Sequence, residues 1–116
     1  MRDVGDGPIR AHPLPPVFPI CRAIAQAQQQ ITVNAIVPGL VGTERREDWA
    51  ESMARQAGKA KAQWLHEFCL SKGIFSGSWV HVEEVGDMAT FVASDRGRYL
   101  NGAKLALDGG LTVNVR

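Results

Sequence analysis

The run Ile31-Thr32-Val33-Asn34-Ala35-Ile36-Val37-Pro38-Gly39-Leu40-Val41-Gly42-Thr43 changes character at its middle. Up to Val37 it is rich in β-branched residues, which pack well on a pleated surface and lose rotamer freedom in a helix. A mostly buried strand is therefore predicted over residues 31–37. Pro38 then withdraws a ladder donor and fixes φ, while Gly39 opens the positive-φ region, so the backbone must turn. The residues that follow are small and partly polar. A buried strand that ends in Pro-Gly and releases such a loop fits the carboxyl edge of an α/β sheet, where open parallel sheets bind ligands.

Working outward towards the amino terminus, residues 20–30 turn to Ala, Gln and Ile, a composition that predicts a short helix running almost directly into the strand. Before it, Pro8, Pro13, Pro15, Pro16 and Pro19 crowd together, with only Pro38 elsewhere. That spacing predicts an irregular arm over residues 1–19.

On the other side of the run, Thr43 stands where a helix N-cap would, followed by the acidic Glu44, Glu47 and Asp48 that suit the positive end of a helix dipole. Trp49, Met53, Ala57, Ala60, Trp64 and Phe68 recur every three or four residues and form one apolar stripe. Gly58 predicts a break into two shorter helices. Turn chemistry over residues 71–78 ends the region. A further helix is predicted over residues 82–93, with Val85, Met88, Ala89 and Val92 as its buried stripe. Residues 103–107 alternate with period two and predict a short strand. Strand, helices and strand in this order make one βαβ unit, whose strands should be parallel.

Composition narrows the function classes. The chain has 116 residues, 45% of them hydrophobic, and a formal net charge of +1, which points to neither nucleic acid nor an anionic membrane as partner. Cys21 and Cys69 are too few for a disulfide framework and lack metal-ligand spacing, so two reduced thiols are expected. His12, His66 and His81 show no ligand spacing either, and no metal site is expected. No apolar run reaches membrane-spanning length, and the first residues lack the apolar core of a signal peptide, so a cytoplasmic location is expected. No serine sits in a Gly-x-Ser-x-Gly context, and no Gly-rich phosphate-binding turn follows a strand.

Two blocks carry a resemblance. Residues 33–43 are the first; the second joins Val82-Glu83-Glu84-Val85, Ala93-Ser94-Asp95, Tyr99-Leu100-Asn101-Gly102 and Asp108-Gly109-Gly110. Together they resemble the C-terminal portion of the short-chain dehydrogenase/reductase family. The resemblance implies an α/β fold: the C-terminal part of a Rossmann-like doubly wound parallel sheet, over residues 20–116, behind the arm at 1–19. It implies NAD or NADP as cofactor, with Pro38, Gly39, Val41 and Thr43 bordering the nicotinamide. The Val41 backbone and the Thr43 side chain would hold the carboxamide; a plain helix cap is the other reading of Thr43, and the two roles can coexist. The region 44–70 resembles the family's substrate lid, in which Trp49, Met53 and Trp64 would face substrate; the alternative is that their stripe is simply core.

The family's catalytic residues do not carry over. An ungapped count puts its Tyr-x-x-x-Lys at Pro8, which has no ionisable group, and at His12, which sits in the proline-rich arm, and Tyr99 has no lysine four residues on. Its catalytic serine and Gly-rich cofactor turn have no counterpart. The expectation is a fragment of an NAD(P)-dependent oxidoreductase for an alcohol or carbonyl substrate, without turnover of its own. Two alternatives stand beside it: a non-catalytic assembly module that pairs with a full-length relative through the last helix and strand, and a truncated product without function.

Overall fold

The computed structural model describes residues 17–26 and 30–113. Its elements run α1 (Val17–Gln26), β1 (Ala35–Pro38), α2 (Glu44–Gln56), α3 (Lys61–Ser71), α4 (Val82–Ala93), a single 3-10 turn (Asp95–Gly97) and β2 (Lys104–Leu107). β1 and β2 pair in parallel, Ala35 opposite Lys104 and Pro38 opposite Leu107, with α2, α3 and α4 in the crossover between them. This is the βαβ unit expected, a partial Rossmann-like sheet.

Local signals placed most boundaries. α4 covers the predicted residues, and Glu84 reaches back to accept the His81 backbone N–H at 2.7 Å, closing the helix start. Gly58, at φ 65°, separates α2 from α3 as expected. In β2, Leu105 and Leu107 are half-buried while Lys104 and Ala106 are exposed, the predicted alternation.

Four expectations need correction. The first helix starts at Val17 rather than Ile20 and its description ends at Gln26. Pro19 is tolerated because it lies in the first turn, whose N–H groups have no partner within a helix. The rest of the predicted arm, residues 1–16, and residues 27–29 lie outside the described residues. Second, the strand is four residues, Ala35–Pro38, instead of 31–37, and Ile31 is half exposed. β2 begins only at Lys104, after the turn at Gly102 (φ 76°), so no strand backbone stands opposite residues 31–34. Asparagine side chains continue the pairing there: Val33 N–H donates to Asn101 Oδ1 (3.0 Å), and the Asn34 side chain donates to the Leu100 carbonyl (3.1 Å) while accepting from Ala103 N–H (3.0 Å).

Third, the α4 stripe is thinner than predicted: Val85, Met88 and Val92 are half-buried and Ala89 is exposed. Two strands about 5 Å apart offer too narrow a face to bury a full helix stripe. Fourth, in the stripe of the helical region Ala57 and Ala60 are exposed, and the residues fully buried there are Ala50, Ala54 and Cys69. The best-packed cluster, Cys69, Ile74 and Leu111 with Leu40, Leu65 and Phe68 against it, sits at the carboxyl edge of the strand pair. No helix among the described residues is long and apolar enough to cross a membrane.

Candidate functional site

At the carboxyl edge the chain leaves β1 under tight constraint. Gly39 N–H donates to the Leu107 carbonyl at 3.0 Å, which brings Gly39 against the start of the Asp108 turn. A Cβ on Gly39 would lie 2.8 Å from Asp108 Cα, so the close approach of two backbones requires glycine there. Val80 N–H then donates to Leu40 (2.9 Å) and Gly42 N–H to Val80 (2.8 Å), a parallel bridge centred on Val41. These bonds use the groups flanking Val41, so the N–H and C=O of Val41 itself point away from Val80. The carbonyl accepts from Thr43 N–H at 2.9 Å. Among the described residues nothing accepts the Val41 N–H.

Thr43 stands at a helix start, where the sequence placed one. It occupies the N-cap position of α2 with extended φ and ψ, and its carbonyl accepts from the N–H groups of Arg46 (2.8 Å) and Glu47 (2.9 Å). Its hydroxyl makes no capping bond. The backbone alone therefore starts the helix, and the exposed hydroxyl keeps both its donor and its acceptor capacity among the described residues. Pro38, also exposed, sets the direction in which the loop departs.

Two further groups shape this edge: Trp79, which the sequence reading did not single out, and Asp108, which stood in the second resemblance block. Trp79 is buried, 3% exposed, and its indole lies over Gly42, where a Cβ would come within 2.4 Å of Nε1. That N–H donates to Glu47 Oε1 at 2.8 Å, and Lys61 Nζ meets Glu47 Oε2 at 2.6 Å. The Lys61 hydrogen bond, helped by Trp79 and opposed by partial burial, holds the Glu47 carboxyl below its ordinary range. Asp108 staples the turn after β2, accepting from Gly110 N–H (3.0 Å), Thr112 N–H (3.1 Å) and the Thr112 hydroxyl (2.5 Å). The Thr112 hydroxyl is the main cause of its lowered pKa. The sequence signal for Trp79 was a tryptophan directly after the turn residues 71–78.

Two of the lid candidates, Trp49 and Trp64, meet each other. Trp49 of α2 stands edge-on to Trp64 of α3 at 5.2 Å between ring centroids, and Trp64 stacks on Phe68 at 5.0 Å. These rings and Met53 are half-buried, so the stripe joins the two helices and still presents apolar surface. A cavity of about 300 Å³ lies behind Leu40, lined also by Ile74, Phe75, Trp79, Leu107 and Asp108. Tyr99 is at the other end of the strand pair, just before β2 begins, and is 89% exposed.

A family model described as Enoyl-(Acyl carrier protein) reductase matches residues 20–112. Oxidoreductase UcpA of Escherichia coli (strain K12) is 38% identical over 91 residues, which cover 78% of this chain and 33% of that protein. D-beta-hydroxybutyrate dehydrogenase of Rhizobium meliloti is 33% identical over 91 residues, 78% of this chain and 35% of the relative. Among solved structures, L-sorbose reductase from Gluconobacter frateurii complexed with NADPH and L-sorbose superposes with a TM-score of 0.66 at 22% identity, over 80% of this chain and 34% of that one, a likeness of fold. An NADPH-bound short chain oxidoreductase from Pseudomonas aeruginosa PAO1, with an atypical catalytic center, gives 0.64 at 25% identity over 82% and 34%. The chain belongs to the short-chain dehydrogenase/reductase family. It spans about a third of the length of the curated relatives it matches.

Proposed function

We propose that this chain supplies the nicotinamide-side loop and the substrate-covering helices of an NAD(P)-dependent oxidoreductase for an alcohol or carbonyl. The observation that carries this reading is the pair of uncommitted groups on one short loop, the Val41 N–H and the Thr43 hydroxyl. A carboxamide offers both a carbonyl acceptor and an N–H donor, so a backbone N–H beside a hydroxyl suits it. Pro38 and Gly39 hold the loop against Asp108, and Trp49, Met53 and Trp64 line the covering hairpin. Bound NAD(P) supplies or accepts the hydride. Proton transfer needs a donor placed at the reacting carbonyl. Tyr99 lies at the far end of the strand pair, away from this loop, and Pro8 has no ionisable group. The chain is accordingly inactive on its own, and we place it in the cytoplasm.

Calorimetric titration of the full chain with NADH and NADPH tests this. The loop alone, without a phosphate-binding turn, is expected to bind no tighter than about 1 mM, near −4 kcal/mol. A micromolar constant would mean that the cofactor site is complete, and the reading of the chain as one part of the site would fall.

A second reading rests on a different place. A groove of about 500 Å³ runs between α4 and β2, lined by Met88, Phe91, Leu100 and Leu105 with Glu84 and Asp87 at its rim. Phe91 is 47% exposed beside it. Such a surface favours a non-catalytic assembly role, in which α4 and β2 pair with a full-length subunit of the same family or a second copy. Sedimentation of the chain from dilute to concentrated solution checks it: a strictly monomeric species throughout excludes self-pairing.

A further inference from the structure

One carboxylate joins three separated pieces of this chain. Glu47 lies in the first turn of α2, Lys61 is the first residue of α3, and Trp79 precedes α4 in the segment that bridges to Val41. Each carboxylate oxygen has its own partner, Trp79 Nε1 at 2.8 Å and Lys61 Nζ at 2.6 Å. A buried indole N–H needs an acceptor, and this one finds it on α2. α2 otherwise packs mainly on α3. The far end of α3 is anchored in the Cys69, Ile74 and Leu111 cluster, whereas the start of α2 departs from Gly42 directly beneath the Trp79 ring. The Glu47 carboxylate thus ties the start of the hairpin to the sheet edge at the point where the chain could swing.

We propose that Glu47 is a charge-dependent latch that holds the start of the α2–α3 hairpin against the loop at 39–43, and that neutralising it frees that part of the hairpin. The latch is defined by Glu47, Trp79 and Lys61 alone and does not rest on the cofactor reading above. Lys61 faces the carboxylate from α3 and His81 from the start of α4, both attracting it; Asp48 and Glu51 on its own helix also attract Lys61. Because the carboxyl is held below its ordinary range, the latch is closed above that range. It is lost as pH falls through the lowered folded value. The Lys61 pKa is raised, so its charge persists into alkaline solution, and acid is the opening direction. Both side chains keep about a third of their surface in solvent, at 34% and 36%, so salt should weaken this arm of the latch.

Hydrogen exchange read by mass spectrometry on the full chain tests the latch. Glu47→Gln should speed exchange about ten-fold over residues 43–52 and 61–66, with α4 and β2 unchanged. Lys61→Met removes the cation but keeps an unbranched side chain of similar length at a position one-third exposed, and should speed exchange about three-fold in the same segments. If Glu47→Gln fails to fold, Lys61→Met decides alone. Wild-type exchange in the variants overturns the proposal. So does acceleration spread equally into α4 and β2, which would mark a general loss of stability.

Discussion

The two ends of the β1–β2 pair are built on opposite plans. At the amino end side-chain hydrogen bonds close the gap that the short strands leave. Val33 N–H donates to Asn101, the Val33 carbonyl accepts from Gly102 N–H (2.8 Å) and from the Cys21 thiol (3.0 Å), and the Asn34 side chain closes the gap between Leu100 and Ala103. At the carboxyl end the chain is held just as tightly, by the Gly39 approach to Asp108 and the Trp79 ring over Gly42. Yet the Val41 N–H and the Thr43 hydroxyl are left over among the described residues. Rigid backbone with spare polar groups is what a binding edge needs, and asparagines spent on closing a gap are not free for a ligand. At one end asparagine side chains stand in for missing strand; at the other, close approaches at Gly39 and Gly42 fix a loop whose polar groups are partly spare.

Three substitutions can break or sharpen that contrast. The largest effect is expected from Gly39→Ala, because the atoms a Cβ would meet belong to the Asp108 backbone, which cannot give way cheaply. It should cost about 3 kcal/mol, read as a lower urea midpoint of the full chain. A midpoint unchanged from wild type would show that the two backbones are not pressed together. Next comes Asn34→Ala, which strands the Leu100 carbonyl and the Ala103 N–H at the closed end. A loss of about 2 kcal/mol is expected by the same measurement. If the variant is neutral, the asparagine side chains do not substitute for missing strand, and the contrast loses one of its sides. The smallest effect belongs to Thr43→Val. Since the hydroxyl makes no capping bond, stability should move by less than about 0.5 kcal/mol. A loss near 1 kcal/mol, the usual cost of removing a side-chain cap, would mean that the hydroxyl serves the helix rather than a ligand.

What could be read from the residues was whatever neighbours within about four positions decide. The limits of α4, the break at Gly58, the alternation in β2 and the departure from β1 at Pro38-Gly39 follow from propensity, capping and turn chemistry. The resemblance in residues 33–43 and in the blocks from 82 to 110 was legible for the same reason, since its motifs are short and contiguous. The start of β1 was not legible. Residues 31–34 have strand composition, but a strand needs a partner, and whether one stands opposite depends on where the chain turns at Gly102. Nor could the sequence tell that Glu47 serves Trp79, 32 residues away, or that Asn34 serves Ala103, 69 residues away. Thr43 makes the point most sharply. Composition rightly marked it as the place where a helix begins, but only the folded chain shows that the backbone does the capping and the hydroxyl is spare. Local sequence determined where the elements lie; tertiary structure decided which polar groups they consume, because that depends on what the fold brings opposite each one.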